Sequence, residues 1–284
     1  MTFALVLGGG GTVGVAWEVG VLAALADAGV QPSGAKVIVG SSAGSLVGTH
    51  IRQGRSIERL ATEQREPISD GTGRPATTDL SGVMEVFTVM SEAKERTPAV
   101  FQEVGRIAMA AHTPPEADWI GRFEKMIDSS DWPKDDLWLT AVDCNTGTRR
   151  AWTKADGVPL PAAVASSCAI PGVFPPISLD GSRYTDGGLW SSSNLDIVLD
   201  ADIDAAIFVG PLRAGAKDAV RQLEQEIELL AAHGKRAEAI LPGEAFITEI
   251  GKANLMNSAL RDRGVDLGIE DGAAAVDRIL ALLG

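Results

Sequence analysis

The sequence predicts an α/β fold built on buried parallel strands. Three observations carry that prediction. The first 52 residues read twice as apolar strand, glycine-containing turn and helix. Strand signals return after residue 137 and alternate with helix patterns. Hydrophobic residues make up 45% of the 284 and charged residues 22%, the balance of an ordinary globular chain.

Phe3 to Leu7 is a continuous apolar run ahead of a glycine turn, as a buried parallel strand requires. Val15 to Ala28 has a helix pattern, with Gly29 placed as the residue that ends it. Lys36 to Gly40 reads as the second strand and Ala43 to Arg52 as the helix after it. From Gln53 to Asp118 strand signals fade, and two helices are expected, around 83–90 and 99–111. Val83, Met84, Val86, Phe87, Val89 and Met90 form one apolar group there; Val100, Phe101, Val104, Ile107 and Met109 form another. Both groups read foremost as core packing, with an acyl-pocket wall or a lid as the functional alternative for this helical insertion, residues 53–118. Strands are expected at 137–142, 150–153 and 205–209, a hairpin at 177–184, and a further short strand at 239–241. Asp218 to Ala232 is an amphipathic helix pattern, and Ala273 to Leu283 closes the chain as a helix. Without repeats or a low-complexity linker, one domain over residues 1–284 is the expected organisation.

The net charge of −13 argues against binding phosphate backbones, so no nucleic-acid partner is expected, and any contact with lipid should be transient and apolar. Two cysteines, Cys144 and Cys168, and three histidines, His50, His112 and His233, support neither a metal cluster nor a disulfide frame. The first residues lack a basic region ahead of the apolar run, and no stretch of 18 apolar residues occurs, so neither a signal segment nor a membrane span is expected and the cytoplasm is the default location.

Gly8-Gly-Gly-Gly11-Thr-Val-Gly14 stands between a strand and a helix, where bare backbone N–H groups form an anion site. The anion could be a pyrophosphate or the oxyanion of an acyl-transfer intermediate. The glycine spacing matches a dinucleotide fingerprint, but the next strand ends in Gly40-Ser-Ser rather than in an acidic residue, and no phosphate-binding lysine follows the glycines. Gly40-Ser-Ser-Ala-Gly44 is a G-x-S-x-G elbow in strand–turn–helix context; its two glycines permit the turn that lifts Ser42 clear of the sheet. The competing reading is a glycine-rich turn with a helix-capping serine.

A serine nucleophile needs a base. His50 lies eight residues on, about 12 Å along a helix, too far from the elbow. His112 sits beside Pro114-Pro115 in a loop, and His233 at a helix end, where it could complete a triad only without a strand-end setting. Tyr184-Thr-Asp-Gly-Gly188 supplies a carboxylate instead: Asp186 reads either as an ordinary Asp-Gly turn or as a general base, provided it is held close and partly desolvated.

These three motifs in this order, with Ala165-Ser-Ser-Cys-Ala-Ile-Pro-Gly-Val-Phe-Pro-Pro176 ahead of the third, resemble the patatin-like phospholipases over residues 3–194. The resemblance implies a three-layer α/β/α fold with a mainly parallel sheet and a Ser–Asp dyad without histidine. Ser42 would be the nucleophile and Asp186 the base, with Gly9, Gly10 and Gly11, the latter two foremost, forming the oxyanion hole; Gly14, Gly40, Gly44, Gly187 and Gly188 are the remaining motif glycines. The implied activity is cleavage of acyl esters of phospholipids, lysophospholipids or neutral lipids without calcium or another cofactor. A transacylase or thioesterase with the same serine, a non-catalytic lipid-binding protein of the same fold, and a nucleotide-binding protein are the alternatives. One departure is Val13, where many members carry Arg or Lys in the loop. Either Val13 replaces a structural contact by packing, or a head-group cation is lost and neutral esters are preferred.

Overall fold

The computed structural model describes residues 1–66, 81–212, 217–251 and 254–284. In chain order the elements are β1 (Phe3–Leu7), α1 (Gly11–Asp27), β2 (Val37–Gly40), α2 (Ala43–Arg52), α3 (Ile57–Arg65), α4 (Ser81–Glu92), α5 (Pro98–Ala110) and α6 (Glu116–Met126). Then follow β3 (Asp136–Asp143), β4 (Arg149–Trp152), α7 (Leu160–Ser167), β5 (Ile177–Leu179), β6 (Ser182–Asp186), β7 (Ala205–Val209), α8 (Lys217–Ala232), β8 (Arg236–Ile240), α9 (Glu244–Glu249) and α10 (Arg261–Leu283).

The strands form one mixed sheet in the order β5-β6-β3-β2-β1-β7-β8, with β4 also paired to β3. β3, β2, β1, β7 and β8 run parallel; β4, β5 and β6 pair antiparallel. The chain moves from β1 to β2 on one side and later to β7 on the other, so the strand order switches at β1. In open α/β sheets, ligands bind in the crevice at the carboxyl ends beside such a switch.

Alternating side chains of the strands feed two cores, one on each face. Leu5 and Leu7 pack with α1, α2, α6 and α10, whereas Ala4 and Val6 pack with Phe208 and with Leu223 and Leu230 of α8. That division is the three-layer arrangement. It also explains why the strands read as unbroken apolar runs: both faces are covered.

α1 is buried over most of its length because α10 lies along its outer side. Gly264, Gly268 and Gly272 recur every fourth residue on α10. A Cβ at Gly264 would lie 3.1 Å from Val13 and one at Gly272 2.9 Å from Ala24, while one at Gly268 would meet the Trp17 carbonyl. The helix expected over 273–283 therefore starts twelve residues earlier, at Arg261. Its glycines weaken helix propensity but permit backbone contact that no larger residue allows.

α4 corrects the core-packing expectation for 83–90. Met84 and Phe87 are 61% and 67% exposed, and only Gly82 of this helix is buried. Six apolar residues within eight positions cover too wide an arc for α5 and the loop at Gly172 to bury. α5 does bury Phe101, Val104 and Ile107, while Met109 stays exposed. No helix among the described residues is long and apolar enough to cross a membrane, and none of their side chains form a metal-binding group of three.

Candidate active site

The site forms where the chain leaves β1, β2 and β6. β3 is the common ruler: Gly40 of β2 lies opposite Leu139, and Asp186 of β6 opposite Ala141, two residues further along. That register brings Ser42 and Asp186 to one end of the sheet although 144 positions separate them in sequence.

Ser42 adopts φ 51° and ψ −116° at the start of α2. A left-handed non-glycine backbone costs on the order of 1–3 kcal/mol and persists only where its surroundings enforce it. Here they do. Ser41 N–H donates to the Leu7 carbonyl at 3.0 Å and Gly44 N–H to the Gly8 carbonyl at 2.9 Å, which ties the elbow to the glycine loop. A Cβ at Gly40 would lie 2.5 Å from the Ser45 Cα, so the turn closes only around glycine.

The 165–176 segment is the physical bridge between nucleophile and carboxylate. Ser42 N–H donates to Ser167 Oγ at 3.0 Å, and the Cys168 thiol donates to the Ser42 carbonyl at 3.2 Å. One residue on, the Ala169 carbonyl accepts from Asp186 N–H at 3.0 Å and from the Thr185 hydroxyl at 2.5 Å. Asn194 adds a second bridge, donating from Nδ2 to Ser41 Oγ at 3.0 Å and to the Gly187 carbonyl at 3.2 Å. Its own loop is fixed by Glu226, which accepts from Ser191 and Ser193. Nothing in the sequence reading marked Asn194 or Glu226, because their relevance lies in long-range contacts.

Asp186 is buried, and desolvation pushes its carboxyl up to about 6; hydrogen bonding to the Ser42 side chain and to Gly188 N–H, the latter at 2.8 Å, only partly offsets this. The N–H groups of Gly9, Gly10 and Gly11 have no acceptor among the described residues, and all three residues are only partly buried. Gly14 instead donates to the Gly10 carbonyl as part of α1.

The histidines stay apart from this constellation. His112 is exposed, and His233 Nδ1 lies 2.9 Å from the Leu229 carbonyl at the end of α8. His50 is buried in α2, and desolvation, with Arg55 nearby, lowers it to about 4. Burial pushes the Cys168 thiol well up, with the charge of Asp186 adding to the effect, and raises Cys144 to about 12, which disfavours the thiolate of both.

Ser42 opens onto a cavity of about 170 Å³ with mostly apolar walls. Gly11 and Val15 of α1, Leu46 of α2 and Trp119, Phe123 and Met126 of α6 line it, together with Ile170, Phe174 and Met256. Trp119 stacks on Phe174 with ring centroids 3.7 Å apart. α6 thus supplies more of the lining than any other helix, and the two apolar groups at 83–90 and 100–109 supply none of it. Trp119 is the tryptophan that lines the pocket. Val13 does not line it: its side chain is fully buried and packs toward Gly264 of α10. Valine at that position is a packing residue.

A glycine loop, a strained serine elbow and a buried aspartate thus lie close together, and the serine opens onto a mostly apolar cavity. The sequence model of the family described as patatin-like phospholipase matches residues 5–199, well over half of the chain. The chain belongs to that family, which supports lipid acyl hydrolysis as its general activity and lipid as its substrate. No curated protein matches it. Among solved structures it is similar to VipD from Legionella pneumophila, at 15% identity over 98% of this chain and 67% of VipD, with a TM-score of 0.47. It is also similar to the type III effector protein ExoU, at 15% identity over 97% of this chain and 53% of ExoU, with a TM-score of 0.40.

Proposed function

We propose that the chain is a serine lipid acyl hydrolase that cleaves carboxylic esters of phospholipids, lysophospholipids or neutral lipids through a Ser42–Asp186 dyad and an acyl-enzyme. The observation that carries this reading is the pairing of Ser42, held in a strained elbow, with a buried Asp186 whose carboxyl is raised to about 6. A carboxylate with that value is ionised at neutral pH yet basic enough to accept a proton, which is what a general base needs.

Asp186 takes the Ser42 proton as Oγ attacks the ester carbonyl. The N–H groups of Gly9, Gly10 and Gly11 face the developing oxyanion; removing one such donor typically costs about 100–1,000-fold in turnover. Asp186 returns the proton to the departing alcohol or lysolipid. It then deprotonates a water that attacks the acyl-enzyme, and the fatty acid leaves as Ser42 recovers its proton. The apolar wall from α6 and Met256 holds the acyl chain.

Contact with a lipid surface is apolar in this reading. The exposed Met84, Phe87 and Met109 supply side chains for it, and Met126 is both exposed and part of the pocket wall. Within the helical insertion the exposed side chains of α4 and α5 act as this surface, and Gln64 of α3 lines the cavity.

Labelling with a fluorophosphonate, followed by peptide mapping, tests the assignment. A stoichiometric adduct on Ser42 that is absent from Ser42→Ala is expected. A folded protein that stays unlabelled, with and without detergent micelles, would overturn it.

A further inference from the structure

Asp186 is held on both sides. On one side the Ala169 carbonyl accepts from Asp186 N–H and from the Thr185 hydroxyl. On the other stands the side chain of Asn194, which is fully buried. Its Nδ2 donates to Ser41 Oγ at 3.0 Å, to the Gly187 carbonyl at 3.2 Å and to the Ser191 carbonyl at 2.7 Å, so that two amide hydrogens serve three acceptors. Ser41 immediately precedes the nucleophile and Gly187 immediately follows the base. One amide therefore grips the chain next to both members of the dyad. Thr140 of β3 closes the figure: its Oγ1 is 2.6 Å from Ser41 Oγ, and a Cβ at Gly187 would lie 2.1 Å from the same atom.

The amide is itself oriented from further out. Arg149 Nη1 donates to Asn194 Oδ1 at 3.2 Å, which turns the NH2 group toward Ser41 and Gly187, and Asp196 holds Arg149 at 2.5 and 2.9 Å. The Asn194 backbone is left-handed, with φ 50° and ψ 28°, a conformation that asparagine tolerates better than most side chains. Glu226 of α8, itself buried, shapes the loop that enforces it. Oε1 accepts from the Ser191 hydroxyl at 2.7 Å, and Oε2 accepts from the Ser193 hydroxyl at 2.6 Å and from Leu195 N–H at 2.8 Å. Asn194 N–H then donates to Ser191 Oγ at 2.9 Å. Neither Asn194 nor Glu226 lines the Ser42 cavity, so contact with the ester is not their task.

We propose that Asn194 is a positioning residue of the Ser42–Asp186 dyad and that Glu226 is its anchor: the amide fixes how closely Asp186 approaches Ser42, and the carboxylate fixes the amide. This rests on the dyad reading above. Both residues act on the chemical step rather than on binding of the ester, because a displacement of about 1 Å at the reacting groups can cost about 100-fold in rate.

Two variants of Asn194 test this. Asn194→Gly accepts the left-handed backbone and deletes only the amide. Asn194→Asp keeps the size and the Arg149 contact but cannot donate to the Gly187 carbonyl. In both, shown to be folded by near-ultraviolet circular dichroism, kcat for a soluble p-nitrophenyl ester is expected to fall about 100-fold with KM within about threefold of the parent. Glu226→Leu should do the same, and Glu226→Gln, which keeps an acceptor for Leu195 N–H, should hold kcat within about tenfold of the parent. The acid limb of kcat/KM should also move in Asn194→Gly, from about 6 toward the ordinary 3.8, as the loosened turn lets water reach Asp186. An unchanged kcat in the folded variants would overturn the proposal. So would a loss of activity that only tracks the loss of folded protein, with the acid limb unmoved. If the parent neither hydrolyses the ester nor takes up a fluorophosphonate at Ser42, the dyad reading fails by itself. The clamp is then decided without turnover, by carbon NMR titration of the Asp186 carboxyl in Ser42→Ala and in Ser42→Ala/Asn194→Gly. Identical titrations would overturn it, and a downward shift in the second protein would support it.

Discussion

At the scale of single residues, the buried acids set up a conflict between stability and activity. Asp186 has a folded pKa of about 6 against an ordinary 3.8. The folded state therefore binds a proton more tightly than the unfolded chain. The group is neutral and costs nothing below about pH 3.8; stability then falls as pH rises from there through 6, by roughly 3 kcal/mol in all. Asp186→Asn is accordingly expected to abolish hydrolysis while raising the unfolding free energy at pH 8 by up to roughly 3 kcal/mol, read by urea denaturation. A destabilised Asn variant would contradict this account of the site. Glu18 poses the same question without a catalytic role: it is fully buried in α1, neither carboxyl oxygen has a hydrogen-bond partner, and desolvation raises its pKa well above the usual value. Replacing it by the similarly sized methionine, Glu18→Met, should raise the melting temperature at pH 8, because an unpaired buried carboxyl is costly.

At the scale of elements, the α1–α10 pair and the glycine loop depend on backbone-close packing. Alanine favours a helix over glycine by about 1 kcal/mol. Gly268→Ala should nonetheless destabilise the protein by about 1–3 kcal/mol, because the new Cβ would run into the Trp17 carbonyl and overpack the interface. Denaturant midpoints decide which effect wins. In the loop after β1, a Cβ at Gly10 would meet Pro211 and lie 2.7 Å from the Gly14 Cα. Gly10→Ala is expected to lower kcat at least 100-fold, by displacing the N–H donors, while the protein stays folded. The fold elements were largely legible from sequence: β1, α2 and β7 are found at the expected residues, since their apolar runs and flanking glycines report local structure. α6 and α7 were not, because their sequences mix charged, proline and small residues whose burial depends on neighbours far along the chain.

At the scale of the whole molecule, two buried groups titrate against each other. His50, lowered to about 4 from 6.5, is neutral in the folded state. Its contribution is present above pH 6.5 and is lost as pH falls toward 4, by roughly 3 kcal/mol. Asp186 gains over nearly the same interval. The parent protein should therefore lose less stability between pH 7.5 and 4.5 than Asp186→Asn does. Parallel profiles for the two proteins would refute the compensation. The same Asp186 titration should appear in catalysis, as a kcat/KM for a non-titrating ester that rises with pH through about 6.

The sequence by itself determined the order of strand, loop and helix around Ser42 and Asp186, because glycine spacing and apolar periodicity are local properties. It also marked the 165–176 segment, whose role as a bridge between the two residues emerged only when Ser167 and Ala169 were seen to bond to them. The pocket was decided by tertiary structure. Val13 turned out to pack inward, the group at 83–90 to face outward, and Trp119, Arg122 and Arg261 to enclose the cavity. Those outcomes depend on which helix lies against which, and side chains more than 130 residues apart in sequence carry no shared local signal until the sheet brings their helices together.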